Sequence, residues 1–391
     1  MLALLLTAAL SFAQDDGATW YALPTVSYDT DDRFGVGLRA EYALPGDGLE
    51  PYRSAWMGQA FLSTTGFQHH RVRYDRLGLG PKDRLRLTAF VAWRQWVHDG
   101  YWGIGGDTPI EVLPSIEGVA SIPNYNRYAF YQPFAYLTLR QDLADSGPWS
   151  VFAAFNPKYA TIRTYEASLL EMDHPYGVGG GLALQTLAGV LYDTRSPEVA
   201  PSRGVLVELS GRAAPALGGE AGGFAGALFS ARGFTPLSGR VTLAGRLMTE
   251  HLFGDIPFYE LVHWGGLNPI YNGSEILRGV PFGRWRAPGK AVLSAELRVI
   301  ALEHTLGGKP FQWELTPFTD LGYFFDVTDG IDAEDGPLHP AMGLGLRPIY
   351  DHLMVARMDL ALARDTRCLC DAGQEEPFTS FSFYLTFEHP Y

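Results

Sequence analysis

The stretch RLRLTAFVAWR, residues 84–94, places Leu85, Leu87, Ala89, Val91 and Trp93 at every second position, with Arg84, Arg86, Thr88, Phe90, Ala92 and Arg94 between them. Successive side chains of an extended chain point to opposite faces, so this is a strand with one face for an apolar medium and one for water. The pattern recurs on both sides of it. Phe34, Val36, Leu38, Ala40, Tyr42 and Leu44 alternate with Gly35, Gly37, Arg39 and Glu41, and Leu293, Ala295, Leu297 and Val299 alternate with Ser294, Glu296 and Arg298. Strands of soluble proteins usually run about five or six residues. These runs are nine to eighteen residues long, as a tilted strand needs to cross a bilayer.

Sixteen runs can be drawn, at about 18–28, 33–44, 52–64, 67–77, 83–97, 125–142, 149–165, 178–194, 203–213, 223–235, 239–252, 289–304, 311–327, 340–348, 352–364 and 378–388. The fold class is therefore all-β: a closed antiparallel transmembrane β-barrel of about sixteen strands, with fourteen as the alternative count. Every connection after an even-numbered run is short, whereas 98–124, 166–177, 254–288, 328–339 and 365–377 all follow odd-numbered runs. Short turns on one rim and long loops on the other are expected of an outer-membrane barrel with its termini on the periplasmic side. Aromatic residues gather near run ends, as in Trp93, Trp96, Tyr101, Trp102 and Tyr323 to Phe325, the placement of interfacial girdles. The last run alternates Phe381, Phe383, Leu385 and Phe387 with Ser382, Tyr384, Thr386 and Glu388. Closure of the barrel would bring this strand beside the first, with Tyr21 and Phe383 as the expected neighbours.

Composition agrees with one large barrel. The 391 residues include 45 Gly, 20 Tyr, 23 Phe and 9 Trp, but only 19% are charged, and a closed sheet can grow beyond the usual domain size. The continuous apolar run Leu2 to Leu10 is too short for a spanning helix. Ser11-Phe12-Ala13 follows it with small residues of the kind a signal peptidase reads, so 1–13 is expected to be a signal peptide and 14–391 the barrel domain. No Lys or Arg precedes the run, which would follow if the true start lay further upstream. A formal charge of −13 argues against nucleic acid as a partner. Cys368 and Cys370 are too few for a disulfide framework or a four-ligand zinc site; in an outer loop they would form a local disulfide or stand as reactive thiols.

No catalytic set is legible either. There is no G-x-S-x-G, Ser274 has no nearby His, and His69 and His70 point to opposite faces of their strand. The acids Asp326, Asp329, Asp332, Glu334 and Asp335 lack the spacing of a calcium loop and read as a solvated surface. No metal, cofactor or enzymatic activity is expected.

Two stretches narrow the reading. In LYDTRSPEVAPSRGVLVELS, residues 191–210, Asp193 and Arg195 can pair across a turn, Pro201 ends the strand pairing and Gly204 permits tight re-entry. The second is Leu277-Arg278-Gly279-Val280-Pro281, inside the 35-residue connection 254–288. The first resembles the D-x-R, P-x-x-G turn, and the second the V/I-R-G-F/Y loop tip, of the BamA/TamA-type outer-membrane barrels, the bacterial surface antigen family. The resemblance spans about Gly179 to Phe387. It implies that the loop between the eleventh and twelfth strands folds into the lumen, with Phe282 standing in for the aromatic that Val280-Pro281 lacks. An arginine buried in the lumen needs counter-charges. Glu296 and Asp320, the latter in PFTDLGYFFD, fall on the polar faces of their strands, so Arg278 is expected to clamp the loop to both. The alternative is a solvated Arg278, with the acids paired to Arg298 or Arg357.

The resemblance implies a bacterial outer-membrane location, contact with outer-membrane lipid including lipopolysaccharide, and a part in inserting or translocating protein or lipid. Between Ala13 and Trp20 there is no room for the family's periplasmic POTRA domains, so a bare barrel is expected, with substrate capture either left to a separate periplasmic partner or lost. Two other functions compete. A passive diffusion channel would be biased to anions by Arg71, Arg73, Arg84, Arg86 and Arg94; a barrel enzyme acting on lipid would need a nucleophile that is not apparent.

Overall fold

A computed structural model describes residues 10–13, 18–29, 32–46, 48–49, 52–108, 124–145, 147–197, 200–268, 276–306, 308–326, 337–350, 354–371 and 374–386. The chain forms a closed antiparallel barrel of sixteen strands. These are β1 Thr19–Asp29, β2 Arg33–Leu44, β3 Ser54–Ser63, β4 Gln68–Leu79, β5 Leu85–Gly100, β6 Arg127–Asp142, β7 Trp149–Thr164, β8 Gly181–Asp193, β9 Gly204–Ala214, β10 Phe224–Ser238, β11 Val241–Gly254, β12 Gly289–Leu306, β13 Lys309–Phe325, β14 His339–Tyr350, β15 Arg357–Asp371 and β16 Gln374–Thr386. Each matches one alternating run of the sequence. Among the described residues no helix is long and apolar enough to cross a membrane, and α1, Leu169–Asp173, sits in the β7–β8 connection.

The alternation sorts side chains by face. Phe34, Val36, Leu38, Val72, Val91, Leu293, Leu297, Leu360 and Phe381 are exposed on the outer surface, where lipid would cover them. Their neighbours in sequence turn inward, so the lumen is lined by polar and charged groups, many of them buried. Such burial needs something to fill the barrel, and the β11–β12 connection supplies it. Leu277, Val280 and Trp285 of that loop pack with Met248, Val292, Phe324 and Ala363 of the wall, and Phe258, Tyr259 and Phe282 pack with Trp96, Tyr128 and Phe130.

Two sequence expectations need correction. The 365–377 loop is not a loop: β15 continues to Asp371 and β16 begins at Gln374, the two pairing out to Asp371 opposite Gln374. The ladder is irregular there, with register shifts between Asp365 and Cys368 and between Leu369 and Asp371. The seam register also differs. Leu385 lies opposite Tyr28, and the Tyr28 and Phe383 rings are 5.9 Å apart. Tyr21 is therefore seven residues from the expected contact, and Gln374 to Phe383 extends beyond the end of β1. The expected signal segment lies outside the described residues, except that Leu10–Ala13 pairs with Thr19 to Ala22 of β1. Ser274 and the acids from Asp329 to Asp335 also lie outside the described residues.

Candidate functional site

The register prepares the receiving surface for the loop tip. On adjacent strands Ser294 lies opposite Asp320 and Glu296 opposite Phe318, so the two acids are diagonal neighbours on the inner wall. Arg278 reaches both. Its Nε and Nη2 each donate to Asp320 at 2.7 Å, its backbone N–H donates to the same carboxylate at 3.1 Å, and Nη1 donates to Glu296 at 2.5 Å. The guanidinium carbon lies 3.5 Å from the centre of the Phe318 ring. All three charged side chains are at most 2% exposed. A forked, charge-assisted contact of this kind fixes orientation as well as position.

The alternative partners are present too, alongside the clamp. Arg298 Nε donates to the second oxygen of Glu296 at 3.1 Å. Arg357 instead bonds Asp359, which also accepts from Arg347.

Gly279 carries the loop across to the seam. Its N–H donates to the Tyr384 hydroxyl at 3.1 Å, and its carbonyl accepts from Ser380 at 2.5 Å and Ser382 at 3.3 Å. Glycine is required at this point. The backbone has φ of +89°, and a Cβ would lie 3.1 Å from both Cβ and N of Ala363, strain that only glycine avoids. Ser380, Ser382 and Tyr384 were not anticipated as partners of the loop. The signal was available, since they form the inward face of an otherwise aromatic strand. Phe282 lies on the opposite side of the lumen, with its ring 5.0 Å from that of Trp96.

A second anchor, unforeseen from sequence, holds the first half of the loop. Glu260 meets Lys158 of β7 at 2.6 Å and Arg212 of β9 at 3.2 Å; Arg212 and Lys290 of β12 converge on Glu250 of β11 at 2.8 and 2.9 Å. Burial works against the Glu260 charge, but Lys158, the nearby His263 and Arg212 hold its carboxyl well below the usual range. Burial pushes the His263 imidazole down to about 3, although Glu260 pulls the other way. Further along, Arg246 donates to the Ile276 carbonyl at 2.8 Å. Arg286 bonds the Phe258 and Gly100 carbonyls at 3.0 and 2.7 Å.

The turn motif is built as a brace beneath the wall. Arg195 bonds both oxygens of Asp193 through Nε and Nη2 at 3.0 and 2.9 Å, and its N–H caps the same carboxylate. Gly204 has φ of +93°, and a Cβ there would run into the Thr194 carbonyl. Pro201 offers its carbonyl to Arg298 at 3.4 Å, so the turn and the clamp share the Arg298–Glu296 pair. Cys368 and Cys370 lie two residues apart on extended β15; their side chains lie outside the described residues.

No protein-family model matches the chain, and no curated protein matches its sequence. Solved structures do match. BamA from Haemophilus ducreyi lacking POTRA domains 1–3 is 12% identical, with a TM-score of 0.58 over 96% of this chain and 71% of that one. CdiB from Escherichia coli is 12% identical, with a TM-score of 0.59 over 97% of this chain and 67% of that one. CdiB from Acinetobacter baumannii is 14% identical, with a TM-score of 0.51 over 94% and 59%. The sixteen-stranded barrel of this chain has the fold of the BamA and CdiB outer-membrane barrels.

Proposed function

We propose that the barrel works in the outer membrane, in the insertion or translocation of protein or lipid, through movement of β16 against a loop that stays fixed. One observation carries this reading: the Gly279 peptide is hydrogen-bonded to three side chains of β16, the strand that closes the barrel. The loop braces the seam from inside while Arg278 ties it to β12 and β13. Opening the seam would break those neutral bonds and leave the ion pairs intact. A separate periplasmic partner would deliver the substrate, and lipopolysaccharide and other outer-membrane lipids would face the outer wall.

The test locks the seam. The Tyr28→Cys, Leu385→Cys protein, reconstituted in vesicles, should accelerate folding of a urea-unfolded outer-membrane barrel protein when reduced and lose that activity when oxidised. Equal acceleration in both states, or none in either, would refute the proposal. A passive pore remains the second reading because arginines line part of the lumen. It predicts a large, steady conductance in planar bilayers, unchanged by Arg278→Ala, whereas a braced plug predicts low conductance that rises in that variant.

A further inference from the structure

Two arginines stand together on the outer face of the barrel. On β6 the odd-numbered residues point outward, as the exposed Leu137 and Leu139 show, and Arg127, Ala129 and Tyr131 belong to that set. On β7 the exposed Phe155 and Tyr159 mark the same face, which includes Arg163. Ala129 lies directly opposite Arg163, so Arg127 is its diagonal neighbour, about 7–8 Å away along the sheet. Both arginines sit beside the long connections 98–124 and 166–177, at the rim that faces outward from the cell. Toward the same rim, outward positions on other strands hold Leu182, Ala213, Phe253 and Met342, none of them charged.

Neither arginine meets a carboxylate. Arg163 is exposed and, among the described residues, makes no hydrogen bond or ion pair. Arg127 gives one N–H to the His98 carbonyl at 2.8 Å. Asp99, within electrostatic reach of Arg127, is buried and already accepts from the Tyr128 hydroxyl at 2.5 Å and the Gly100 N–H at 2.8 Å. The nearby acids of α1 are used as well: Glu171 accepts from the Ala167 N–H at 2.7 Å and Asp173 from the Tyr101 hydroxyl at 3.1 Å.

Aromatic rings frame the pair. Tyr165 donates to the Val97 carbonyl at 2.5 Å and stacks on the exposed His98 ring with centres 6.0 Å apart. Tyr131 lies 6.5 Å from Trp93. Ala129 faces outward yet is only 2% exposed, so the side chains around it close over it. Further down the same wall Tyr159, Leu137 and Leu182 are exposed, where acyl chains would lie.

We infer that this face of β5 to β7 docks the phosphorylated sugar head of an outer-leaflet glycolipid, with Arg127 and Arg163 as the ligands of its phosphate. Guanidinium forks match phosphate oxygens in pairs, the flanking rings offer flat apolar faces to a sugar, and the docking face continues without a break into the lipid-facing wall. The inference rests on the outer-membrane location proposed above and on no movement of the seam. The Tyr28→Cys, Leu385→Cys protein should therefore bind the lipid equally when reduced and when oxidised, and the two proposals can fail separately.

The barrel, purified in a neutral detergent, is titrated with diphosphoryl lipid A, with lipid A stripped of both phosphates and with phosphatidylglycerol, and binding is read by native mass spectrometry. Diphosphoryl lipid A should bind saturably and at least about tenfold more tightly than the other two. Arg127→Gln, Arg163→Gln should lose at least about tenfold of that affinity, the loss of charge-assisted bonds. Arg163→Gln alone removes no bond within the protein, so its fold should survive, and it should weaken binding at least about threefold. Arg240→Gln, on an exposed turn at the other rim, should bind as the unaltered protein does. The inference fails if diphosphoryl lipid A does not bind saturably, if the dephosphorylated lipid binds equally well, if phosphatidylglycerol matches it, or if Arg163→Gln binds as tightly as the unaltered protein.

Discussion

Replacing Arg278 with alanine would leave two carboxylates in the lumen wall without their shared cation. Breaking a buried ion pair by removing one partner costs about 3–5 kcal/mol, mostly through the charge left behind. Glu296 keeps Arg298 at 3.1 Å and Arg347 at 3.6 Å, so most of the cost falls on Asp320, which loses both guanidinium bonds. The lower part of that range therefore applies to the acids. Loss of the stacking on Phe318 adds about 0.5–2 kcal/mol. The sum is a penalty of roughly 3.5–6 kcal/mol on the docked loop, borne locally because the strand ladders do not depend on it. Local opening free energies are read by amide hydrogen exchange. At about 1.4 kcal/mol per factor of ten, protection of the loop segment 276–287 should fall by roughly two and a half to four orders of magnitude. The β5–β6 ladder should be unchanged. Adding Asp320→Asn removes the stranded charge, so the double variant should recover at least about tenfold of the lost protection. Protection of the single variant within threefold of the unaltered protein would refute the clamp. A double variant as exposed as the single one would refute the stranded-charge account.

Gly279→Ala should act on the seam instead of the clamp. Alanine at a left-handed backbone position costs about 1–2 kcal/mol before the contact with Ala363 is counted, so exchange in β16 around Ser380 to Tyr384 should quicken about tenfold or more while Arg278 stays protected; slowed or unchanged β16 exchange would contradict this. Acidification should loosen the first half of the loop. The His263 pKa is depressed to about 3 by burial, so the docked loop keeps a neutral imidazole, and the undocked loop, with a pKa near 6.5, takes up a proton first. Stability from this group is complete above about pH 6.5 and is lost as pH falls toward 3. Glu260, held well below its usual value, adds a loss in the same direction at lower pH. Acrylamide quenching of Trp264, which is buried in the docked loop, should therefore rise between pH 7 and pH 4, and a constant or falling quenching would count against it.

The parts of the fold legible in the sequence are those that a two-faced strand imposes. Sixteen alternating runs became sixteen strands because an outer face against lipid and an inner face against a polar lumen leave no other assignment for Leu85 to Arg94 or Leu293 to Val299. The β15–β16 tip was misread because Asp365-Thr-Arg-Cys-Leu-Cys-Asp371 shows no sustained apolar alternation, and hydrogen bonding alone makes no period in the sequence. Arg278, Glu296 and Asp320 could be joined in advance because the family resemblance implied an arginine in the lumen, a buried cation demands acids, and the alternation placed both acids on the inner wall. Glu260 and its partners could not be joined in that way: Lys158, Arg212, Glu250 and Lys290 come from four strands, and their meeting depends on barrel curvature and loop path. The seam register depends in the same way on how the sheet closes.

The two halves of the loop tip differ in strength, and that difference bears on how such a barrel would open. Arg278 is held by charged bonds, each worth about 1.5–3 kcal/mol even in ordinary settings. Gly279 holds β16 through bonds to one tyrosine and two serine hydroxyls, neutral contacts of about 0.5–1.5 kcal/mol each, and the 2.5 and 3.3 Å distances of the two serine bonds show that they are not equal. Thermal or substrate-driven separation should therefore begin between loop and β16. The same contrast appears in the sheet, where the described pairing of β16 to β1 is Leu385 with Tyr28, while β12 and β13 pair from Gly289 to Leu306. Brace and seam are weak on the same side, and the strong anchors all lie away from it. If hydrogen exchange instead showed β12 and β13 opening before β16, the loop would be a hinge of the opposite wall, and the seam would have no claim to be the moving part.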